Sequence, residues 1–162
     1  MPAWLKKALL WTATLSLMAG IFAFSAQEGA SSDQLTQAAV SPIMALLGDW
    51  QPGSTDLSGD TLYIVLGTLV RKAAHLCEYA LLAGLVWLLL RSYGVRRGWL
   101  AVLIAALYAV TDEVHQAFVP GRLGTPVDVA IDAVGAALGV WAVGRIVRRI
   151  SRDNISKVVN TR

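Results

Sequence analysis

The chain has 162 residues, of which 56% are hydrophobic and 15% charged, with a formal net charge of +3. Soluble domains average about 25% charged residues, so the composition excludes an ordinary soluble globular protein and points to the membrane. The single cysteine, Cys77, excludes an intrachain disulfide and a cysteine metal cluster. It lies two positions from His75 on another helix face, and reads as packing.

Four stretches are long and apolar enough to cross a bilayer, for which roughly 20 residues are needed. The first span is 8–24, "ALLWTATLSLMAGIFAF". With Lys6 and Lys7 ahead of it and "AFSAQ" behind, it also fits a secretory signal cleaved after Ser25; the length of the run favours a retained helix. Residues 25–60 are polar and rich in Gly, Ser and Pro, the signature of a loop. Within them "SPIMALLGDW" predicts a short helix over 41–47, with Ser41 as N-cap and Pro42 at the first helical position. The second span is 71–90, where "ALLAGLVWLLL" extends backward through "RKAAHLCEY". The third is 99–118 and the fourth 127–143, and 146–162 form a basic tail. The expected fold is all-α: one transmembrane domain over 1–162, a polytopic four-helix bundle with a short extra-cytoplasmic helix.

Charge placement sets an orientation. Eleven of the fourteen Lys and Arg residues precede span one, separate spans two and three, or follow span four. The 25–60 loop carries Glu28, Asp33, Asp49, Asp56 and Asp60 and no Lys or Arg. Basic residues accumulate in short cytoplasmic loops, so both termini are expected inside, the 25–60 loop outside, and the protein in the cytoplasmic membrane. Trp4, Trp99 and Trp141 then belong to an aromatic belt at the inner interface.

Against this apolar background, "YAVTDEVHQAFVPGR" at 108–122 is anomalous. At a rise of 1.5 Å per residue, Asp112 and His115 lie about 20 and 24 Å from the inner end of their helix. Glu78, His75 and Arg71 lie about 18, 22 and 28 Å from theirs, and Asp132 and Asp128 about 20 and 26 Å. Three helices thus place ionisable groups at one level, in the outer half of a core roughly 30 Å thick. Spacings of three and four put them on shared faces: Arg71, His75 and Glu78 on one helix, Asp112, His115 and Gln116 on another. The fourth helix aligns Asp128 and Asp132 with Gly135 and Gly139, small residues that let a neighbour approach. Ionisable groups at this depth turn inward and pair, so a shared polar site is expected.

Four pieces then resemble the VanZ-like membrane proteins, in that family's order: "FSAQEGASSDQL", "RKAAHLCEYALL", "YAVTDEVHQAFVPGR" and "DVAIDAVGAALG". The resemblance implies a small polytopic protein of the cell envelope and argues against cleavage after Ser25. It takes its name from a protein linked to low-level teicoplanin resistance. Carried over by residue, it marks Gln27, Arg71, Lys72, His75, Glu78, Tyr79, Asp112, Glu113, His115, Gln116, Arg122, Asp128 and Asp132.

The chemistry these residues allow divides into two groups. His75, Glu78, Asp112, Glu113, His115 and Asp132 are candidate catalytic residues, with His75 paired to Asp112 or Asp132, and His115 to Glu78, as base and orienter. Gln27, Arg71, Lys72, Tyr79, Gln116, Arg122 and Asp128 are candidate substrate-binding residues, the cations placed for an anionic lipid headgroup or lipid-linked phosphate. Three readings compete: an enzyme on a lipid-linked substrate; a lipid or antibiotic binder or small transporter; and a structural bundle whose polar residues only pair. Asp128 also suits the start of the fourth helix behind Pro126. No HExxH is present, and His75–Glu78 at i and i+3 is a loose metal pattern, so no metal is assigned and the sequence names no cofactor. No phosphate loop or nucleophile elbow occurs, and a nucleic-acid partner is not expected.

Overall fold

The computed structural model describes residues 1–27, 29–47, 59–122 and 124–160. Among them are five helices and no strand: α1 (Ala3–Ser25), α2 (Gly29–Leu47), α3 (Gly59–Ser92), α4 (Gly98–Gln116) and α5 (Pro126–Asn160). Four are long and apolar enough to cross a membrane: Ala3–Ser25, Thr61–Ser92, Gly98–Gln116 and Pro126–Asp153. Four expected spans therefore become four apolar helices of one multi-pass membrane protein.

Contacts at each end fix their directions. Near the start of α1, Lys7 Nζ lies 4.3 Å over the Tyr93 ring just past α3, and Trp11 Nε1 donates to Tyr93 Oη at 3.2 Å. At the opposite end, Arg122 reaches the last carbonyls of α1. Helices α1 and α4 thus run one way and α3 and α5 the other. Lys6, Lys7, Arg91, Arg96, Arg97 and the basic residues of α5 consequently gather at one end of the bundle.

The α3–α5 pair is parallel and unusually close. Along it, Lys72 meets Asp128, His75 meets Asp132, and Gly84 faces Val143. Between them, the positions of Gly135 and Gly139 lie directly against the backbone of Leu76 and Ala80. Only a residue without a Cβ fits there, because lipid supplies no hydrophobic drive and helices associate by close backbone packing. The glycines expected to admit a neighbour do so, and the neighbour is α3.

Helix α4 buries one stripe, Ala101, Ala105 and Ala109, all 0% exposed, and continues it through Asp112 and Gln116. Small residues seat α4 against the Tyr79–Trp87 stretch of α3 and Ala136 of α5. The same face then turns polar for its last two turns. Large apolar side chains elsewhere, such as Leu81, Leu107 and Leu138, remain exposed, as a lipid-facing surface requires.

Three boundaries differ from the sequence reading. Helix α2 begins at Gly29 rather than at Ser41 and carries Pro42 in its interior, so Ser41 is not its N-cap. Tertiary packing overrides the local loop signals: Val40 is fully buried, and Thr36 Cγ2 sits against Gly67 of α3. Helix α3 starts at Gly59 rather than Arg71, because "TLYIVLGTLV" ahead of Arg71 is itself apolar. Helix α5 runs on to Asn160, so most of the expected basic tail is helical. Glu28, Asp49 and Asp56, and the side chains of Asp33 and Asp60, lie outside the described residues.

Candidate functional site

Where the polar ends of α3, α4 and α5 meet, a cavity of about 290 Å³ opens. From α3 it is lined by Thr68, Arg71, Lys72 and His75; from α5 by Asp128, Ile131 and Asp132. Helix α4 contributes Glu113 and Gln116, and the following loop Gly121 and Arg122. Eight of the thirteen residues singled out in the sequence line this one space.

The loop is built to place Arg122. Residues Val119–Arg122 form a turn closed by Arg122 N donating to Val119 O at 3.2 Å, with Pro120 second and Gly121 third at φ 76°. Proline presets the second position of a type II turn and glycine supplies the positive φ of the third. Arg122 Nη1 then donates to Phe24 O at 3.2 Å and Ser25 O at 3.0 Å. These are carbonyls at the end of α1, where a helix leaves acceptors unsatisfied. The "PGR" sequence is thus a clamp between the α4–α5 loop and α1.

Thr125 starts α5. Its Oγ1 accepts from Asp128 N at 3.2 Å and donates to Asp128 Oδ2 at 2.9 Å. The N-cap is therefore Thr125, with Pro126 at the first helical position and Asp128 in the first turn. Asp128 also forms an ion pair with Lys72, which ties α5 to α3 at the cavity rim. Thr125 N donates to Glu113 Oε2 at 2.8 Å, so the same residue fixes a carboxylate of α4.

Deeper in, the polar groups are less well matched. Asp132 is 0% exposed, and neither of its carboxylate oxygens has a hydrogen-bond partner among the described residues. His75 Nδ1, also buried and without one, lies 3.7 Å from Asp132 Oδ1, too far for a hydrogen bond. Of the two partners expected for His75, Asp132 is the one beside it. Asp112 sits behind the cavity wall, where Oδ2 accepts from Gln116 Nε2 at 3.0 Å and Oδ1 has no hydrogen-bond partner among the described residues. Unpaired buried polar atoms are costly, and their concentration here sets this region apart from the apolar core around it.

The remaining residues are distributed around this centre. Gln27 and Glu78 line a second cavity of about 210 Å³ against α1, which shares Arg71, His75 and Arg122 with the first. Tyr79 is fully buried in the core, its ring 6.3 Å from that of Tyr108. His115 faces α1 and stacks on Phe22 at 4.3 Å, and no hydrogen bond joins it to Glu78. Sequence reasoning missed Thr68, Ile131 and Thr125. Thr68 shares the face of Lys72 and His75 but precedes the expected start of its helix. Thr125 carries a legible signal, the Thr125-x-x-Asp128 pattern of a capped helix start.

The VanZ/LLP1 family model matches residues 10–148, most of the chain. The chain belongs to the VanZ/LLP1 family. No curated protein and no solved structure matches it. The matched region of this VanZ/LLP1 protein contains every residue of both cavities.

Proposed function

We propose that this VanZ/LLP1 protein binds an anionic headgroup, that of a phosphate-bearing lipid or lipid-linked molecule, in the cavity between α3, α4 and α5. The observation that carries the reading is the composition of the rim: Arg71, Lys72 and Arg122 converge on one opening at one end of apolar helices. Lys72 is held there by Asp128 and Arg122 by the last carbonyls of α1. Guanidinium groups match phosphate oxygens in pairs, and an ammonium adds a point charge. Acyl chains would lie along the exposed apolar faces of the bundle. Under the positive-inside rule the basic end of the bundle is cytoplasmic, which puts the cavity in the outer half of the cytoplasmic membrane. His75 beside Asp132 is the pairing that general-base chemistry uses, so turnover of a bound headgroup fits the same site.

The test is retention of a short-chain phosphatidic acid by detergent-purified protein, against the matching diacylglycerol. Wild type should retain the phosphate lipid saturably, and Arg71→Gln with Arg122→Gln should weaken retention at least about tenfold, the value of one lost charge-assisted contact. Equal retention of the uncharged lipid, or an unaffected double variant, contradicts the reading.

A further inference from the structure

We infer that His75, Glu113 and Asp132 form a binding site for one divalent transition-metal ion of the Mn²⁺ or Zn²⁺ type. One ligand atom from each of the three lies within 4.8 Å of the others. The three come from α3, α4 and α5, so the site is a junction of the bundle rather than a local cluster. The decisive observation is Asp132: it is 0% exposed, and neither carboxylate oxygen is hydrogen-bonded among the described residues. His75 Nδ1 faces it at 3.7 Å, and it too has no hydrogen bond among the described residues. A carboxylate this deeply buried needs a compensating positive charge or hydrogen bonds, and Lys72, the nearby ammonium, is already engaged by Asp128.

The donor set also selects the ion. Metal–ligand bonds of about 2.0–2.2 Å to imidazole and carboxylate put tetrahedral ligand atoms some 3.3–3.6 Å apart. The His75–Asp132 separation already approaches this, and closing the widest gap takes a side-chain movement of about 1 Å. One imidazole with two carboxylates suits Mn²⁺ or Zn²⁺. Ca²⁺ wants six to eight oxygens, and Cu⁺ wants thiolate, whereas Cys77 is exposed elsewhere. Glu113 is oriented by Thr125 N at 2.8 Å, the kind of outer contact that holds metal ligands in place. Three protein ligands leave coordination positions open toward the cavity, the arrangement of catalytic rather than structural sites. This inference rests on the donor atoms alone and stands whether or not a headgroup binds.

The test uses full-length protein, stripped with chelator in detergent and titrated calorimetrically with Mn²⁺ and with Zn²⁺. Wild type should bind one equivalent of at least one of the two and gain thermal stability on doing so. Asp132→Asn and Glu113→Gln should each weaken that binding at least about tenfold. Metal-free Asp132→Asn should melt no lower than metal-free wild type, because the substitution removes a buried charge, so lost binding is not mistaken for lost folding. The absence of saturable binding of either ion to wild type, or unchanged binding by both variants, overturns the inference. Phosphatidic acid retention measured separately without metal distinguishes this failure from failure of the headgroup reading.

Discussion

Replacing Gly139 by alanine tests the seam on which the cavity depends. A Cβ at this position would lie 2.6 Å from the Ala80 carbonyl carbon and 2.7 Å from its Cα, where ordinary contact begins near 3.4 Å. The obstacle is backbone, which has no rotamer with which to retreat, and the Ala80 carbonyl oxygen is nearer still, so α3 and α5 must separate by at least about 0.8 Å. Overpacking of this kind costs about 1–3 kcal/mol, and a rigid obstacle puts Gly139→Ala near the upper end. Better helix propensity returns about 0.5–1 kcal/mol, leaving a net loss of about 2 kcal/mol. Gly20→Ala is the control, because a Cβ there meets nothing within 4 Å; it should be neutral or slightly stabilising. Both are measured by reversible denaturant unfolding in mixed micelles, followed by tryptophan fluorescence. The same displacement opens the His75–Asp132 gap two turns away, so metal uptake should weaken in parallel. If Gly139→Ala proves as stable as wild type, or Gly20→Ala loses as much, the close-packed seam is not what holds the two helices.

Thr125→Val keeps the side-chain shape but removes the N-cap acceptor, and should cost about 0.5–2 kcal/mol, with faster amide exchange at 126–129 as the local readout. Gly121→Val forces a β-branched residue into φ 76°, a strain of about 1–2 kcal/mol. It should loosen the Arg122 contact with α1 and raise amide exchange around Phe24 and Ser25, while exchange in α3 stays at its wild-type rate.

The four apolar helices were legible because composition and length decide membrane spans almost without tertiary information. Helix α2 was not, because Ser, Gly and Pro give the local signals of a loop, and the contacts of Thr36 and Val40 with α3 are visible only in the fold. The convergence of Arg71, His75, Asp128 and Asp132 was legible because spacings of three and four name a helix face. Helix α4 was harder to read. At about 100° per residue, Asp112 continues the buried alanine stripe while Glu113 and His115 fall on opposite edges. Glu113 therefore meets Thr125 beside α5, and His115 meets Phe22 of α1. Which neighbour stood at which edge was not written in the spacing.

The central claim is that polar groups of separate membrane helices share one chamber open to the outside. It is tested most directly by thiol labelling of intact cells in a Cys77→Ala background. Thr68→Cys on α3 and Ile131→Cys on α5 line the cavity, whereas Leu81→Cys on the lipid-facing side of α3 does not. A membrane-impermeant maleimide added outside should modify the first two and spare the third. Modification of Thr68→Cys and Ile131→Cys only after the membrane is permeabilised, or no more than that of Leu81→Cys, would contradict the account.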